Sequence, residues 1–324
     1  MNFISKLTKI VLVVVCSAAL FSCNDDDSGD VIVPGNTIGD YLASNDNYSS
    51  LAAALDAAGL TATLSGSADY TVFAPDNAAF NAFLSSNGYA SLNDVPVDAL
   101  REILLNHVLS GTMMSGDLST GYVTTLATGA ASGENLSMYI NTEDGVTING
   151  VADVTNADVE VDNGVIHEVN AVIGLPDITT FALADPTFQT LVSALTREGD
   201  YTFVTTLQSN GDAAPFTVFA PTNTAFSDFL TEMNFASLDD IPADVLASVL
   251  SYHVVSGANV RSSDLTDGMM VTTLEGGQFT VNLGDSVTIT DEKDRTATVV
   301  AADVQANNGV IHVLDTVLMP ELAD

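Results

Sequence analysis

The chain has 324 residues, a length that suits two domains of about 150 residues better than one. From residue 24 onward, five basic residues stand against 42 acidic residues, a net charge of −37. A surface this acidic excludes nucleic acid as a partner, because no basic patch is present to contact phosphates.

The N-terminal segment is typical of an export signal. Two lysines precede the apolar run Ile10–Leu20, which is too short to span a bilayer as a helix. Leu20–Cys23 resembles the lipobox of bacterial lipoproteins, in which the cysteine becomes the acylated N-terminus, and Asn24–Asp27 resembles a surface-export signal of such proteins. We therefore predict a lipoprotein signal peptide over residues 1–23, ending at a lipidated Cys23, and membrane attachment through acyl chains only.

A flexible acidic tether is predicted over residues 24–36, where glycine and proline surround a short apolar run. Both cysteines of the chain, Cys16 and Cys23, precede this tether. The folded part is therefore expected to contain no disulfide and no thiolate metal site, and to depend on its hydrophobic cores.

An internal repeat is the strongest signal in the chain. Thr71–Pro75 recurs as Thr217–Pro221, 146 residues later. Further motif pairs follow in the same order: His107–Gly111 with His253–Gly257, Val123–Leu126 with Val271–Leu274, and Asn163–His167 with Asn308–His312. So long a period indicates duplicated whole domains and not a solenoid of short units. We predict a first domain over residues 37–176 and a second over residues 177–324.

Helices precede strands in each copy. Tyr48–Ala58 and Pro96–Leu109 carry apolar residues at helical spacing, with Gly59 and Gly111 as their predicted ends. Short β-rich runs follow, and each copy closes on an Asn-Gly hairpin signal, at Asn163-Gly164 in the first. Helices first and strands later predict an α+β fold.

Three motifs, each present twice, resemble the fasciclin domain: Thr-Val-Phe-Ala-Pro-x-Asn-x-Ala-Phe, His-Val-x-Ser-Gly and Asn-Gly-Val-Ile-His. The resemblance covers about residues 37–324. It implies two tandem α+β domains, each a β-wedge of two sheets with several helices, and roles in adhesion without catalysis or cofactor. A Tyr-His element implicated in integrin binding by some animal members resembles Tyr252-His253, whereas the first copy has Asn106-His107. Tyr252 and His253 are thus possible partner-binding residues.

The histidines of the chain all lie in the repeated motifs: His107, His167, His253 and His312. Two histidines per domain without a recognisable third ligand do not predict a zinc site, so we interpret them as structural residues among apolar neighbours. No nucleophile elbow, phosphate loop or dinucleotide fingerprint is present. Asp158, Glu160 and Asp162 alternate as on an exposed strand face, an interpretation we prefer to a calcium site because no calcium-loop pattern is present.

Two functions remain in view. The first is a non-enzymatic adhesion lipoprotein of the cell envelope, exposed on the outer membrane, that binds extracellular matrix, polysaccharide or a surface protein. The alternative is a glycan- or ligand-binding surface lipoprotein for nutrient capture. Because the chain lacks tryptophan, few aromatic platforms are available for stacking on sugars. Neither function requires a metal or a cofactor.

Overall fold

The computed structural model describes residues 36–198, 202–209, 211 and 213–322. The predicted signal peptide, Cys23 and the tether up to residue 35 lie outside the described residues. Within the described ranges, no helix is both long and apolar enough to cross a bilayer. Two repeats follow one another along the chain, and each combines helices with a seven-stranded sheet.

The first repeat begins with three of its helices, and two more follow its first strand. They are α1 Ile38–Ser44, α2 Ser49–Ala57, α3 Thr61–Leu64, α4 Asn77–Ser86 and α5 Val97–Leu105. Its strands are β1 Tyr70–Pro75, β2 Val108–Ser110, β3 Gly121–Thr128, β4 Asn135–Asn141, β5 Thr147–Ile148, β6 Ala152–Val161 and β7 Gly164–Val169. The strands lie in the order β2-β1-β7-β6-β5-β4-β3. β1 runs parallel to β7, whereas it is antiparallel to β2.

The second repeat has the same plan. Its helices are α6 Ile178–Ala184, α7 Gln189–Thr196, α8 Phe203–Leu207, α9 Asn223–Glu232 and α10 Ala243–Tyr252. Its strands are β8 Phe216–Pro221, β9 Val254–Ser256, β10 Met269–Thr272, β11 Gln278–Leu283, β12 Val287–Thr290, β13 Thr296–Ala306 and β14 Gly309–Leu314. Their order, β9-β8-β14-β13-β12-β11-β10, matches that of the first repeat. The predicted tandem α+β fold is confirmed.

Each domain has two hydrophobic cores, one on either face of the strand next to the edge strand, β1 or β8. Val72 and Ala74 of β1 face the helices, while Phe73 between them packs against residues of β2, β4 and β7. In β8, Val218 and Ala220 likewise face the helices, while Phe219 lies in the core on the opposite face. Alternate strand residues point to opposite faces, so one apolar strand supplies both cores.

The two sheets expected in each domain share a strand. The start of β6 pairs with β5, and its remaining length pairs with β7 across two register shifts between Val154 and Val159. The corresponding strand β13 has register shifts between Val299 and Val304. Bulges of this kind bend a strand and increase its twist, so one long strand passes from one arm of the wedge to the other.

The helix predicted over Pro96–Leu109 is wrong at its C-terminal end. Helix α5 ends at Leu105, and Val108–Ser110 forms the edge strand β2 paired with β1. The apolar residues after Leu105 therefore alternate between the two faces of a strand and do not continue one face of a helix. Sequence reasoning also missed α1, a short helix that begins at the Thr37 capping box.

The Asn-Gly motif forms the predicted hairpin, and its asparagine also connects the helices to the sheet through hydrogen bonds. A Cβ atom on Gly164 would lie 1.8 Å from the Tyr70 carbonyl oxygen, so only glycine allows this approach. The side chain of Asn163 accepts from the backbone N–H of Ile38 at 2.8 Å and donates to the Leu64 carbonyl oxygen at 2.8 Å. Asn308 makes the corresponding contacts with the second set of helices.

The two domains pack directly against each other. Tyr139 of the first domain belongs to the helix-side core of the second, and Tyr122 lies edge-on to Phe181 with ring centroids 5.5 Å apart. The Tyr122 hydroxyl donates to Asp185 at 3.0 Å. A backbone N–H of β13, at Gln305, donates to the hydroxyl of Ser137 in β4 at 2.9 Å. Apolar burial combined with directional hydrogen bonds fixes the orientation of the pair.

Candidate functional site

His107 and His253 occupy identical positions, just after the helix that precedes the edge strand. The Nδ1–H of His107 donates to the Ile103 carbonyl oxygen at 2.7 Å, and its Nε2 accepts the Ile173 N–H at 2.8 Å. His253 makes the same two bonds with Val249 and Leu318. Since a backbone N–H can only donate, Nε2 must be unprotonated, which assigns the tautomer.

Burial lowers the pKa of both rings. The pKa of His107 falls to about 4 because burial disfavours the imidazolium, although the Ile103 carbonyl oxygen acts in the opposite direction. The pKa of His253 also falls to about 4, chiefly through burial. Both rings are therefore neutral at pH 7, and both nitrogens of each ring are already engaged with the backbone.

His167 lies in β7, which pairs with β1, and His312 lies in β14, which pairs with β8. The Nδ1 of His167 accepts from the Asp158 backbone N–H at 3.2 Å, and its Nε2–H donates to the Met113 carbonyl oxygen at 2.9 Å. His312 has the same arrangement with Asp303 and Val260. Burial lowers the pKa of His312. The Phe219 ring stacks on His312 with centroids 5.3 Å apart.

The sequence pattern predicted that Asp158 lies on an exposed, alternating strand face. The structure shows a different arrangement. Asp158 lies in the β6 bulge with φ +61°, and its carboxylate accepts from both the backbone N–H and the hydroxyl of Ser115. Those bonds hold the pKa of Asp158 below its ordinary value. Asp303 and Ser262 repeat the arrangement.

This Ser–Asp–His grouping is not a catalytic triad. In a triad the histidine accepts the proton of the serine hydroxyl, and the carboxylate accepts from the histidine. Here the Ser115 hydroxyl donates to the carboxylate, while both nitrogens of His167 bond to backbone groups. These hydrogen bonds connect the β6 bulge to the loop that contains Ser115. Because both nitrogens of His167 are engaged, neither can act as a base for the Ser115 hydroxyl.

Tyr252 and His253, the possible partner-binding pair, are 0% and 4% exposed. The Tyr252 hydroxyl donates to the Gln278 carbonyl oxygen at 2.6 Å, and burial raises its pKa. Asn106, its counterpart in the first domain, is equally buried and donates to the Gly174 carbonyl oxygen at 2.9 Å. Contact of Tyr252 or His253 with a partner therefore requires local opening of the fold, and it stays a prediction.

A polar cleft between the domains is the candidate site that sequence reasoning missed. It has a volume of about 470 Å³ and is lined from both domains by Tyr122, Thr124, Glu134, Arg261, Asp303 and Gln305 among others. Arg261 of the second domain pairs with Glu134 of the first at 2.8 Å. Arg261 and Glu134 are 127 positions apart, so no local pattern brings them together. Across the described residues, no cluster of three His, Cys, Asp or Glu side chains is arranged to hold a metal ion.

Comparison with known proteins agrees with this architecture. A profile described as "Fasciclin domain" matches residues 46–176 and 186–320. An uncharacterized protein of Synechocystis is 37% identical over 145 residues, which are 45% of this chain and 98% of that protein. Human periostin is 29% identical over 83% of this chain, which spans 30% of periostin. The cell surface glycolipoprotein MPB83 of Mycobacterium bovis is 35% identical over 44% of this chain and 60% of its own length.

A solved structure has a similar pair of domains. It is a FAS1 domain pair from the insect cell adhesion molecule fasciclin I, with 21% identity and a TM-score of 0.49. The similarity covers 82% of this chain and 92% of that chain. With the family profile matched in both repeats, this chain belongs to the fasciclin domain family.

Proposed function

We propose that this protein is a non-enzymatic adhesion lipoprotein that presents a fixed pair of fasciclin domains at the cell surface. The observation that carries the proposal is the match of both repeats to a family whose similar members include periostin and a cell surface glycolipoprotein. The direct packing of Tyr122 and Tyr139 on the second domain supports it, because a rigid pair offers one continuous contact surface. Engagement of every histidine nitrogen with the backbone supports a role without catalysis.

The charge distribution indicates which partners suit this surface. Each of the five basic side chains of the described part already has a partner within the protein. Arg101 and Arg197 donate to backbone carbonyl oxygens, and the others form ion pairs: Arg261 with Glu134, Lys293 with Glu321, and Arg295 with Glu232. The remaining surface is strongly acidic. We therefore expect contacts with neutral polysaccharide or with basic protein surfaces of the matrix or a neighbouring cell.

The anchor is part of the proposal. Residues 1–23 act as the signal peptide, Cys23 carries the acyl chains, and residues 24–36 form the tether to the outer-membrane surface. At its end, the Asn36 N–H donates to the Asp162 carboxylate, and the Asn36 carbonyl oxygen accepts from the Asp162 N–H, which supports a first domain that begins beside it. We place the domain boundary between residues 176 and 177.

Attachment of cells to a polysaccharide- or matrix-coated surface tests adhesion. Deletion of the gene should reduce attachment, and the intact gene should restore it. A Cys23→Ser form should be released from the membrane and should not restore attachment, while protease treatment of intact cells should remove the wild-type protein. Equal attachment with and without the gene on every coating would contradict the proposal.

Glycan or ligand capture is a second candidate, favoured by the cleft between the domains. Its volume of about 470 Å³ lies within the usual range of ligand sites, and polar groups line its walls. Binding of the purified protein to a glycan array tests this candidate, with Arg261→Ala at the cleft and Arg101→Ala remote from it as matched variants. Binding lost only with Arg261→Ala supports capture in the cleft, whereas no binding above background rejects it.

A further inference from the structure

The second domain contains an apolar cavity between its helices and its sheet. The cavity has a volume of about 100 Å³ and lies between α6, α7, α8 and β8. Carbon atoms of Ala182, Leu191, Val204 and Phe226 are among its walls. The corresponding region of the first domain, beside α2 and α3, retains a space of only about 10 Å³.

Two substitutions between the repeats change the wall of the cavity where α6 faces the core. Leu42 lies four residues into α1 and is 1% exposed, whereas Ala182 lies at the same point of α6. The exchange removes three carbon atoms from the helix-side core. Thr179, Leu183 and Val192 of the wall are larger than their counterparts Gly39, Ala43 and Ala52, yet a space of about 100 Å³ remains.

The second substitution lies where α6 approaches the end of α8. Gly39 of α1 lies so close to the residue after α3 that a Cβ atom would be 2.1 Å from the Ser65 hydroxyl oxygen. The corresponding residue of α6 is Thr179, whose hydroxyl accepts from the Gln208 side chain at 3.3 Å, just after α8. The second domain thus has a side chain and a hydrogen bond at the point where Gly39 and Ser65 of the first domain are in direct contact.

The cavity reaches the surface on the helical side. Leu183, which is 69% exposed, and the exposed Thr196 both line it. The first domain has Ala43 and Asp56 at these positions. The second domain therefore has an exposed apolar side chain and a neutral hydroxyl at the opening, where the first has a methyl group and a carboxylate.

We propose that this cavity binds the end of the aliphatic chain of an uncharged amphiphile. Apolar cavities stay dry and take up apolar molecules, and an engineered cavity of about 150 Å³ accommodates benzene. A cavity of about 100 Å³ suits a narrower group such as an alkyl chain end. The uncharged head group follows from electrostatics. Among the residues that the structure describes, no charged side chain lines the cavity, and the nearby Arg197 guanidinium already bonds to Glu198 and to the Leu238 and Ile241 carbonyl oxygens.

Titration of the full chain with n-octyl-β-glucoside below its micelle concentration tests the proposal. Methyl signals of Leu183, Val192 and Val204 should shift in a saturable manner in an NMR spectrum of the wild type. Ala182→Leu restores the residue of the first domain and should weaken binding by about tenfold or more. Ala43→Leu makes the same change at an exposed position of α1 and should bind like the wild type.

Two further measurements keep the test decisive. Xenon under pressure should shift the same methyl signals in the wild type, which requires no variant to fold. Octanoate, with a chain of similar length and a negative charge, should bind more weakly than the glucoside. Absence of shifts with both the glucoside and xenon, shifts confined to the first domain, or unchanged binding by Ala182→Leu would overturn the proposal. Equal binding of octanoate would overturn its uncharged head group.

Discussion

The two domains share a backbone plan and differ in how their helix-side cores are filled. Tyr48 in the first domain donates to Glu168 at 3.1 Å, whereas Phe188 and Val313 occupy the same two positions in the second. Leu42 and Gly39 of the first domain are likewise replaced by Ala182 and Thr179 at the equivalent positions of the second. The histidine, bulge and Asn-Gly contacts, by contrast, are present in both. The duplicated fold therefore depends on the polar contacts that organise its backbone, while the core between helices and sheet has been free to diverge.

Leu42→Ala should have the largest effect, because it copies the second-domain residue into the tightly packed first domain. A buried leucine replaced by alanine lowers the free energy of unfolding by about 2 to 5 kcal/mol. Hydrogen exchange measured separately in each domain should show the loss in the first domain alone. Ala43→Ser at the exposed neighbouring position serves as the control, and a cost for Leu42→Ala no larger than the control's would remove Leu42 as the cause of the packing difference.

Acidification should weaken each domain through its buried histidine, His107 in the first and His253 in the second. The pKa of His107 is about 4 in the fold and about 6.5 in the unfolded chain, so protons bind the unfolded chain first. The contribution of this ring to stability is complete above pH 6.5 and is lost as the pH falls from 6.5 towards 4. At about 1.4 kcal/mol per pKa unit, the loss approaches about 3 kcal/mol per domain.

His107→Gln and His253→Gln isolate this effect from the many carboxylates. Each variant should show a smaller change in the free energy of unfolding between pH 7 and pH 4 than the wild type, in its own domain only. If the pH dependence of a variant equals that of the wild type, the buried ring is not the group that titrates.

Tyr48→Phe should have a smaller effect of about 1 kcal/mol, the usual net contribution of one hydrogen bond. It leaves Glu168 without the Tyr48 hydroxyl as a donor. Adding Glu168→Val recreates the Phe188 and Val313 pair of the second domain and should recover most of the stability. Failure of the double variant to recover would mean that the two cores are not interchangeable at this position.

Arg261→Ala should have the smallest effect on stability, below about 1 kcal/mol, because the pair with Glu134 is partly exposed and screened by salt. Its effect should be confined to the contact between the domains, where the backbone of Ala131 bonds to Asn307. Faster hydrogen exchange there, with Lys293→Ala as a control ion-pair variant, would support this. Faster exchange throughout both cores would instead assign Arg261 a role in folding.

Much of the fold followed from local patterns. The hairpins at Asn163 and Asn308 and the helix that begins after Pro96 were predicted correctly, because turn residues and helical periodicity act over a few positions. The end of that helix was not, since pairing of Val108–Ser110 with β1 overrides a helical pattern that continues to Leu109. The role of Asn163 beyond its turn also escaped prediction, because Ile38 and Leu64 lie about 100 residues or more away in the chain.

The sequence by itself determined the duplication, the α+β class, the family and the acidic character of the surface, because each is written in residue order or composition. Tertiary structure alone decided that the Ser115 hydroxyl donates to Asp158 while His167 bonds to the backbone, that a polar cleft lies between parts of the two domains, and that a cavity opens beside Ala182. These features depend on the distance between groups far apart in the chain. A change of one side chain alters such a distance while leaving the motif that predicts the fold intact.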